Sequence, residues 1–196
     1  MAEKSSLSNA FGDLYPYRGR FNIYTQIPES GRNPDDIITE LGTIAEEEDR
    51  TWEAGLVSGT MYHGGKEHYA FLNKVFSLFS YVNLLQRDLC PSGTKFESEI
   101  IAMIGNMLHG EAVKDYNPQD EVCGTVTSGG TESIFNGVYI HREWAREEKG
   151  ITKPEMVVPA TIHPAFQKAA QYLGIKMILV PVDDHFEANI DAMRKK

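Results

Sequence analysis

Apolar positions along the chain recur first at helical and then at mixed helical and strand spacing. Asn33-Pro34-Asp35-Asp36 reads as a helix opening, with Asn able to cap, Pro suited to the first helical position and two acids facing the positive dipole end. Ile37, Ile38, Leu41, Ile44 and Ala45 then mark one face, and Gly55 is a natural stop. Glu46, Glu47, Glu48 and Asp49 fall largely off that face and read as a solvated acidic run. Residues 67–85 carry a second stripe, Leu72, Val75, Phe76, Phe79 and Val82. A third helix follows the capping-box pattern Thr94-Lys95-Phe96-Glu97, with Ile100, Ile101, Ile104, Met107 and Leu108 on its apolar side and Gly110 as its left-handed exit.

After an acidic linker over 111–121 the rhythm changes. Residues 122–127 read as a strand feeding a helix marked by Ile134, Val138, Ile140, His141 and Trp144 and ending near Gly150. Residues 156–160 read as a buried strand, 165–173 as a helix stopped by Gly174, and 176–182 as another strand. This βαβαβ order calls for an α/β fold with a mainly parallel sheet and helices on both faces. The expected divisions are an aromatic arm over 1–33, loose in its first ten residues and lying on another surface thereafter, a helical segment over 34–115, and an α/β portion over 116–196. Phe11, Tyr15, Tyr17, Phe21 and Tyr24 make the arm too aromatic for a disordered tail.

With 196 residues, 41% hydrophobic and 24% charged, the chain has the composition of a globular protein with one sizeable core. A net charge of -9 argues against nucleic acid as a partner, because phosphate backbones are held by clustered Lys and Arg. The two cysteines, Cys90 and Cys123, lack CxxC spacing, so neither a zinc site nor a disulfide framework is expected. A reducing, cytoplasmic setting is the simpler expectation, with secretion to another compartment left open. The N-terminus has no apolar signal core, and the stretch 71–85 is broken by Asn73, Lys74, Ser77, Ser80 and Asn83, so no membrane span is expected. His63 and His68 have neither zincin spacing nor further ligands, so no metal is expected.

The candidate chemistry centres on Thr127-Ser128-Gly129-Gly130-Thr131-Glu132-Ser133. Glycines let a ligand approach the backbone, and the N–H groups opening the next helix favour an anion, with the Thr131 hydroxyl as a further donor. The same residues suit a plain loop and cap. Residues 57–66 form a glycine-dense loop carrying Tyr62, His63 and Lys66, open to a ligand or simply at the surface. His163 sits before Pro164 in a strand-to-helix loop, as a ligand contact or as a helix-opening residue. Both the Gly-Gly-Thr turn and His163 fall beyond the carboxyl ends of strands, where α/β sheets gather ligands.

Three stretches together resemble one family. The run TSGGTES, the segment His163-Pro164-Ala165-Phe166-Gln167-Lys168-Ala169 and the Tyr62-His63-Gly64 loop look like those of pyridoxal 5'-phosphate (PLP) enzymes of the group II decarboxylase-like family. Within it they are most similar to the sphingosine-1-phosphate lyases. The resemblance runs from about Asp36 to Lys196. It implies the PLP-dependent transferase-like fold (type I). It also implies a PLP phosphate held by Ser128, Gly129, Gly130 and Thr131, a ring stacked on His163, and Tyr62 as a catalytic residue. Residues 83–90 resemble the family's Asn-Pro-Leu-His-x-Asp loop, which implies substrate contacts from Asn83 and Gln86. Leu84 stands in place of the proline and Gln86 in place of the histidine, so a titrating group is missing at that position.

The implied reaction is retro-aldol cleavage of sphingosine 1-phosphate, a phosphorylated long-chain base, to phosphoethanolamine and a long-chain aldehyde, by a homodimer with shared active sites. The lysine that holds the cofactor and the aspartate beside its ring nitrogen belong to segments expected after Lys196. An amino-acid decarboxylase of the same superfamily and a non-catalytic dimerisation module are the alternatives.

Overall fold

A computed structural model describes residues 15–57, 59, 62–115 and 117–196. The expectations for the first ten residues and for Phe11, and those for Ser58, Thr60 and Met61 within the glycine-dense loop, lie outside the described residues. The described chain forms two compact units, one up to Ser80 and one from Tyr81 onward.

In the first unit, α1 (Pro34–Glu53) opens as its sequence predicts: the Asn33 side chain accepts from the Asp35 N–H at 2.9 Å, and Pro34 takes the first turn. The acidic run is not simply solvated. Glu48 accepts from the Tyr17 hydroxyl at 2.7 Å, Glu47 pairs with Arg20 at 2.8 Å, and Glu40 takes both guanidinium nitrogens of Arg32. These contacts fasten residues 17–32 along α1, because an arm with few apolar contacts is held by its charged partners instead. Helix α2 (Lys66–Phe79) stops six residues short of the expected end. Ser80 caps it, and the Asn83 side chain then accepts from the Leu85 N–H at 3.0 Å, a local turn that competes with continued helix.

In the second unit, α3 (Pro91–Met107) begins four residues earlier than the Thr94 box implied, with Pro91 in its first turn. Glu97 therefore lies inside the helix, where its carboxylate bonds elsewhere. Left-handed backbone at the end of α3 falls on His109 (φ 58), not Gly110, which opens a 3-10 helix (Gly110–Asp115) within the expected linker. Residues 122–127 have no strand partner among the described residues, so the expected first strand carries no ladder.

From there the order is α4 (Gly130–Lys149), β1 (Glu155–Pro159), α5 (Pro164–Leu173), β2 (Lys176–Val180) and α6 (Ile190–Arg194). Gly150 and Gly174 end α4 and α5 in left-handed conformations (both φ 66), as their positions in the sequence predict. β1 and β2 are parallel, in register from Glu155↔Lys176 to Pro159↔Val180. β2 ends at Val180, two residues early; Val182 instead bridges Ala188 antiparallel.

The apolar core is smaller than the composition suggests. Among the described residues it consists of Val138, Val158, Ala165, Ala169, Ala170 and Val180, all in α4, β1, α5 and β2. The stripes on α1, α2 and α3 stay open to solvent because no described layer packs on them: Ile38 is 69% exposed, Phe76 73% and Met107 72%. Within the core, Ala169 is fully enclosed where α5 meets its neighbours, and Arg142 of α4 donates to the Leu173 carbonyl at the end of α5 at 3.1 Å. Overpacking such a site forces side chains off their rotamers, so Ala169→Leu is expected to lower the stability of the α4–β2 region by about 1–3 kcal/mol, read as an earlier denaturant midpoint.

Candidate cofactor-phosphate site

The turn before α4 is shaped by side chains on either side of it. Glu132 reaches back to accept from both the N–H of Ser128 (2.7 Å) and its hydroxyl (2.5 Å). Those two hydrogen bonds, the hydroxyl first, lower the Glu132 pKa and keep it a carboxylate. Thr127 donates to the Gly129 carbonyl at 3.1 Å, and the Thr127 and Ser133 hydroxyls lie 2.6 Å apart. Glycine 129 is the cap residue; the N–H groups of Gly130, Thr131 and Glu132 then open the helix without an acceptor one turn back. A Cβ added at Gly129 or Gly130 would meet nothing within 4 Å, so open space adjoins those donors.

That donor set fits a phosphate: consecutive N–H groups, the positive end of a 20-residue helix, the Thr131 hydroxyl and room for the ligand to approach. Ser128 fits less well, since both of its donors already serve Glu132. Neither Glu132 nor Thr127 was expected from the sequence to act here. Glutamate in the first turn after a Ser-Gly-Gly run is the signal that could have found Glu132.

His163 is the cap of α5, at the carboxyl end of β1, and its ring is exposed. Its Nδ1 accepts from the Ala165 N–H at 3.1 Å, so the neutral ring carries its proton on Nε2. Helix opening is thus one job this histidine performs, and the capping bond fixes the ring without using Nε2. Among the described residues no hydrogen bond or ion pair joins His163 to the Gly-Gly-Thr turn.

The loop 83–90 is a pair of tight turns: Asn83 accepts from the Gln86 N–H at 3.0 Å, and the Gln86 carbonyl accepts from Leu89 and Cys90. The Oδ1 of Asn83 serves the turn itself, which leaves its Nδ2 amide, and the whole Gln86 side chain, without a protein partner among the described residues. Arg87, next in the loop, pairs with Glu97 at 2.8 Å. Glu97 also accepts from the Thr125 hydroxyl at 2.9 Å and the Val126 N–H at 3.0 Å. Arg87 first, then Val126 and Thr125, hold the Glu97 carboxyl down to about 2. A carboxylate depressed in this way adds stability that is fully present above its ordinary range near 4.5 and is lost progressively as pH falls from there through about 2.

Tyr62 belongs to the first unit. The residue is 91% exposed, while its carbonyl accepts from the Tyr69 hydroxyl at 3.0 Å. The His63 ring lies against Trp52 (4.4 Å between centroids) and Tyr69 (4.9 Å), and its Nδ1 accepts from the Gly65 N–H. Gly65 takes φ 90, a conformation open to glycine but costly for other residues. The loop is therefore fastened by His63 and its backbone and presents Tyr62 outward. Among the described residues no group of three or more His, Cys, Asp or Glu side chains is placed to hold a metal ion. No described helix is long and apolar enough to cross a membrane.

Comparison with known proteins gives these features a family. A "Sphingosine-1-phosphate lyase" of Oryza sativa subsp. japonica is 38% identical over 176 residues, covering 88% of this chain and 32% of its own. One from Dictyostelium discoideum is 39% identical over 175 residues, covering 89% and 31%. The solved structure of a sphingosine-1-phosphate lyase from Burkholderia pseudomallei superposes with a TM-score of 0.80 at 50% identity, over 87% of this chain and 39% of that one. The chain thus spans about a third of the length of the curated relatives named here and has the α/β fold of the matching part of that structure. The pyridoxal-dependent decarboxylase conserved domain matches residues 17–196, nearly the whole described chain with its anion-ready turn, and the chain belongs to that family.

Proposed function

We propose that this chain is the cofactor-phosphate portion of a PLP-dependent carbon–carbon lyase that cleaves sphingosine 1-phosphate to phosphoethanolamine and a long-chain aldehyde. The observation carrying this reading is the Gly-Gly-Thr turn with its helix-opening donors, in a chain 50% identical to a sphingosine-1-phosphate lyase of the same fold. In this reading residues 116–196 are the first part of the cofactor-binding domain, behind an arm over 1–33 and a helical segment over 34–115. The N–H groups from Gly129 to Thr131 and the Thr131 hydroxyl hold the phosphate, with Ser128 shaping the turn through Glu132.

His163, its ring fixed by the capping bond from Ala165, offers a flat face to the cofactor ring. PLP supplies the electron sink that makes scission at an amine-bearing carbon possible. Tyr62 offers a phenolic proton to the substrate, and the amides of Asn83 and Gln86 donate hydrogen bonds to the substrate's own phosphate. Gln86 stays neutral at every pH, so it orients and does not exchange protons. A homodimer with shared sites belongs to this reading and is supported by the open apolar stripe of α2, where Leu72 is 40% and Phe76 73% exposed. A cytoplasmic setting is supported by two free thiols, Cys90 and Cys123.

The test is product analysis with the full-length protein. Incubated with PLP and sphingosine 1-phosphate, it is expected to release phosphoethanolamine and a long-chain aldehyde in equal amounts, read by mass spectrometry. Release of carbon dioxide from an amino acid, with sphingosine 1-phosphate left intact, would replace this reading with that of a decarboxylase.

A further inference from the structure

Residues 122–127 deliver the chain to the Gly-Gly-Thr turn, yet no ladder hydrogen bond fixes them among the described residues. Among the described residues, the side-chain hydrogen bonds that reach 122–126 from another element come from one group. Glu97, in the second turn of α3, accepts with Oε1 from both the Thr125 hydroxyl (2.9 Å) and the Val126 N–H (3.0 Å). Its other oxygen, Oε2, takes Arg87 at 2.8 Å, and Arg87 also donates to the Thr94 hydroxyl at 3.3 Å. The Glu97 side chain is 21% exposed, so these bonds form partly out of water. One residue beyond Val126, the Thr127 hydroxyl bonds the Gly129 carbonyl.

Hydrogen bonds therefore connect Arg87, in the loop bearing Asn83 and Gln86, through Glu97 to Thr125 and Val126, and the backbone carries on directly to Thr127 and the turn. We propose that Glu97 is a positioning residue that clasps the approach to the phosphate turn with one oxygen and the substrate-facing loop with the other, so that the two are aligned together. Glu97 touches neither ligand; it acts through Val126 and Thr125 on one side and Arg87 on the other. The two oxygens divide the work. Oε1 sets where the turn's N–H groups sit, and Oε2 sets where Asn83 and Gln86 sit.

The inference rests on the reading of the turn as a PLP phosphate cradle, and the experiment separates the two. Equilibrium binding of PLP and of pyridoxal, which lacks the phosphate, is measured by fluorescence on the full-length protein and its variants. Glu97→Ala is expected to weaken PLP by about tenfold and pyridoxal by less than about twofold, as the loss of a charge-assisted acceptor implies. Glu97→Gln keeps an oxygen for Thr125 and Val126 and is expected to restore PLP binding. It loses the ion pair with Arg87, so its KM for substrate is expected to stay raised, as in Arg87→Met.

Equal weakening of PLP and pyridoxal in Glu97→Ala, or no weakening of either, overturns the positioning role. A normal KM in Glu97→Gln and Arg87→Met overturns the link to the loop. If the unsubstituted protein does not prefer PLP to pyridoxal, the cradle reading itself fails, whatever Glu97 does. Should Glu97→Ala not fold, Thr125→Val, nearly the same in shape, decides: a PLP-selective loss supports the clasp and unchanged binding of both ligands removes it.

Discussion

Tyr62→Phe in the full-length protein is expected to lower kcat by about 100-fold, the low end of what a positioned proton-transfer group contributes. The substitution removes a single oxygen. The contacts that hold the loop are untouched by it, because Tyr69 bonds the Tyr62 carbonyl, and His63 lies between Trp52 and Tyr69. The phenol of this 91% exposed residue makes no hydrogen bond among the described residues, so no partner is orphaned by its loss. Folding and cofactor absorbance should therefore match the unsubstituted protein, and the deficit should fall on turnover. Steady-state kinetics beside an absorbance spectrum checks this, and unchanged kcat would remove Tyr62 from the chemistry.

Gly130→Val is expected to weaken PLP binding by about 100-fold while leaving the fold intact, since losing charge-assisted hydrogen bonds to a phosphate is a matter of a few kcal/mol. The position tolerates a side chain sterically: beyond its chain neighbours and its own helix backbone, an added Cβ meets nothing within 4 Å, and first-turn backbone accepts a branched residue. The methyl groups would instead occupy the open space beside the first N–H groups of α4. A far-UV spectrum and thermal midpoint like those of the unsubstituted protein, with PLP titrating only at much higher concentration, is the expected pair of results. Unaltered PLP affinity would mean that the phosphate docks elsewhere.

Local signals were legible in the sequence. Asn33 capping α1, glycines ending α4 and α5, and the strand–helix–strand order from Glu155 to Val180 all depend on neighbours a few residues apart, and all are present. The misjudged features depend on distant partners. Thr94 and Glu97 have the spacing of a cap, but Pro91 starts the helix earlier and Glu97 bonds residues 28 and 29 positions away. Glu47 and Glu48 look like a solvated block until Arg20 and Tyr17 fold onto them from 27 and 31 positions away. Residues 122–127 have the apolar pattern of a strand, yet strand identity requires a neighbour, which no local pattern specifies. In the site, the phosphate turn was legible because glycine, threonine and a helix start are contiguous. Glu97 was not, because its role exists only once α3 lies against Val126.

The β1/β2 pair has a further consequence for handling the protein. Its strands pair only with each other among the described residues, and 177–180 is an uncharged Met-Ile-Leu-Val run of high β propensity. What bounds that run is chemistry hostile to fibril growth. Lys176, paired with Glu155 at 2.6 Å, stands at one end and Pro181 at the other, while Pro159 closes β1. A lysine and prolines at such margins are gatekeepers, discouraging stray chains from adding edge to edge while the domain assembles.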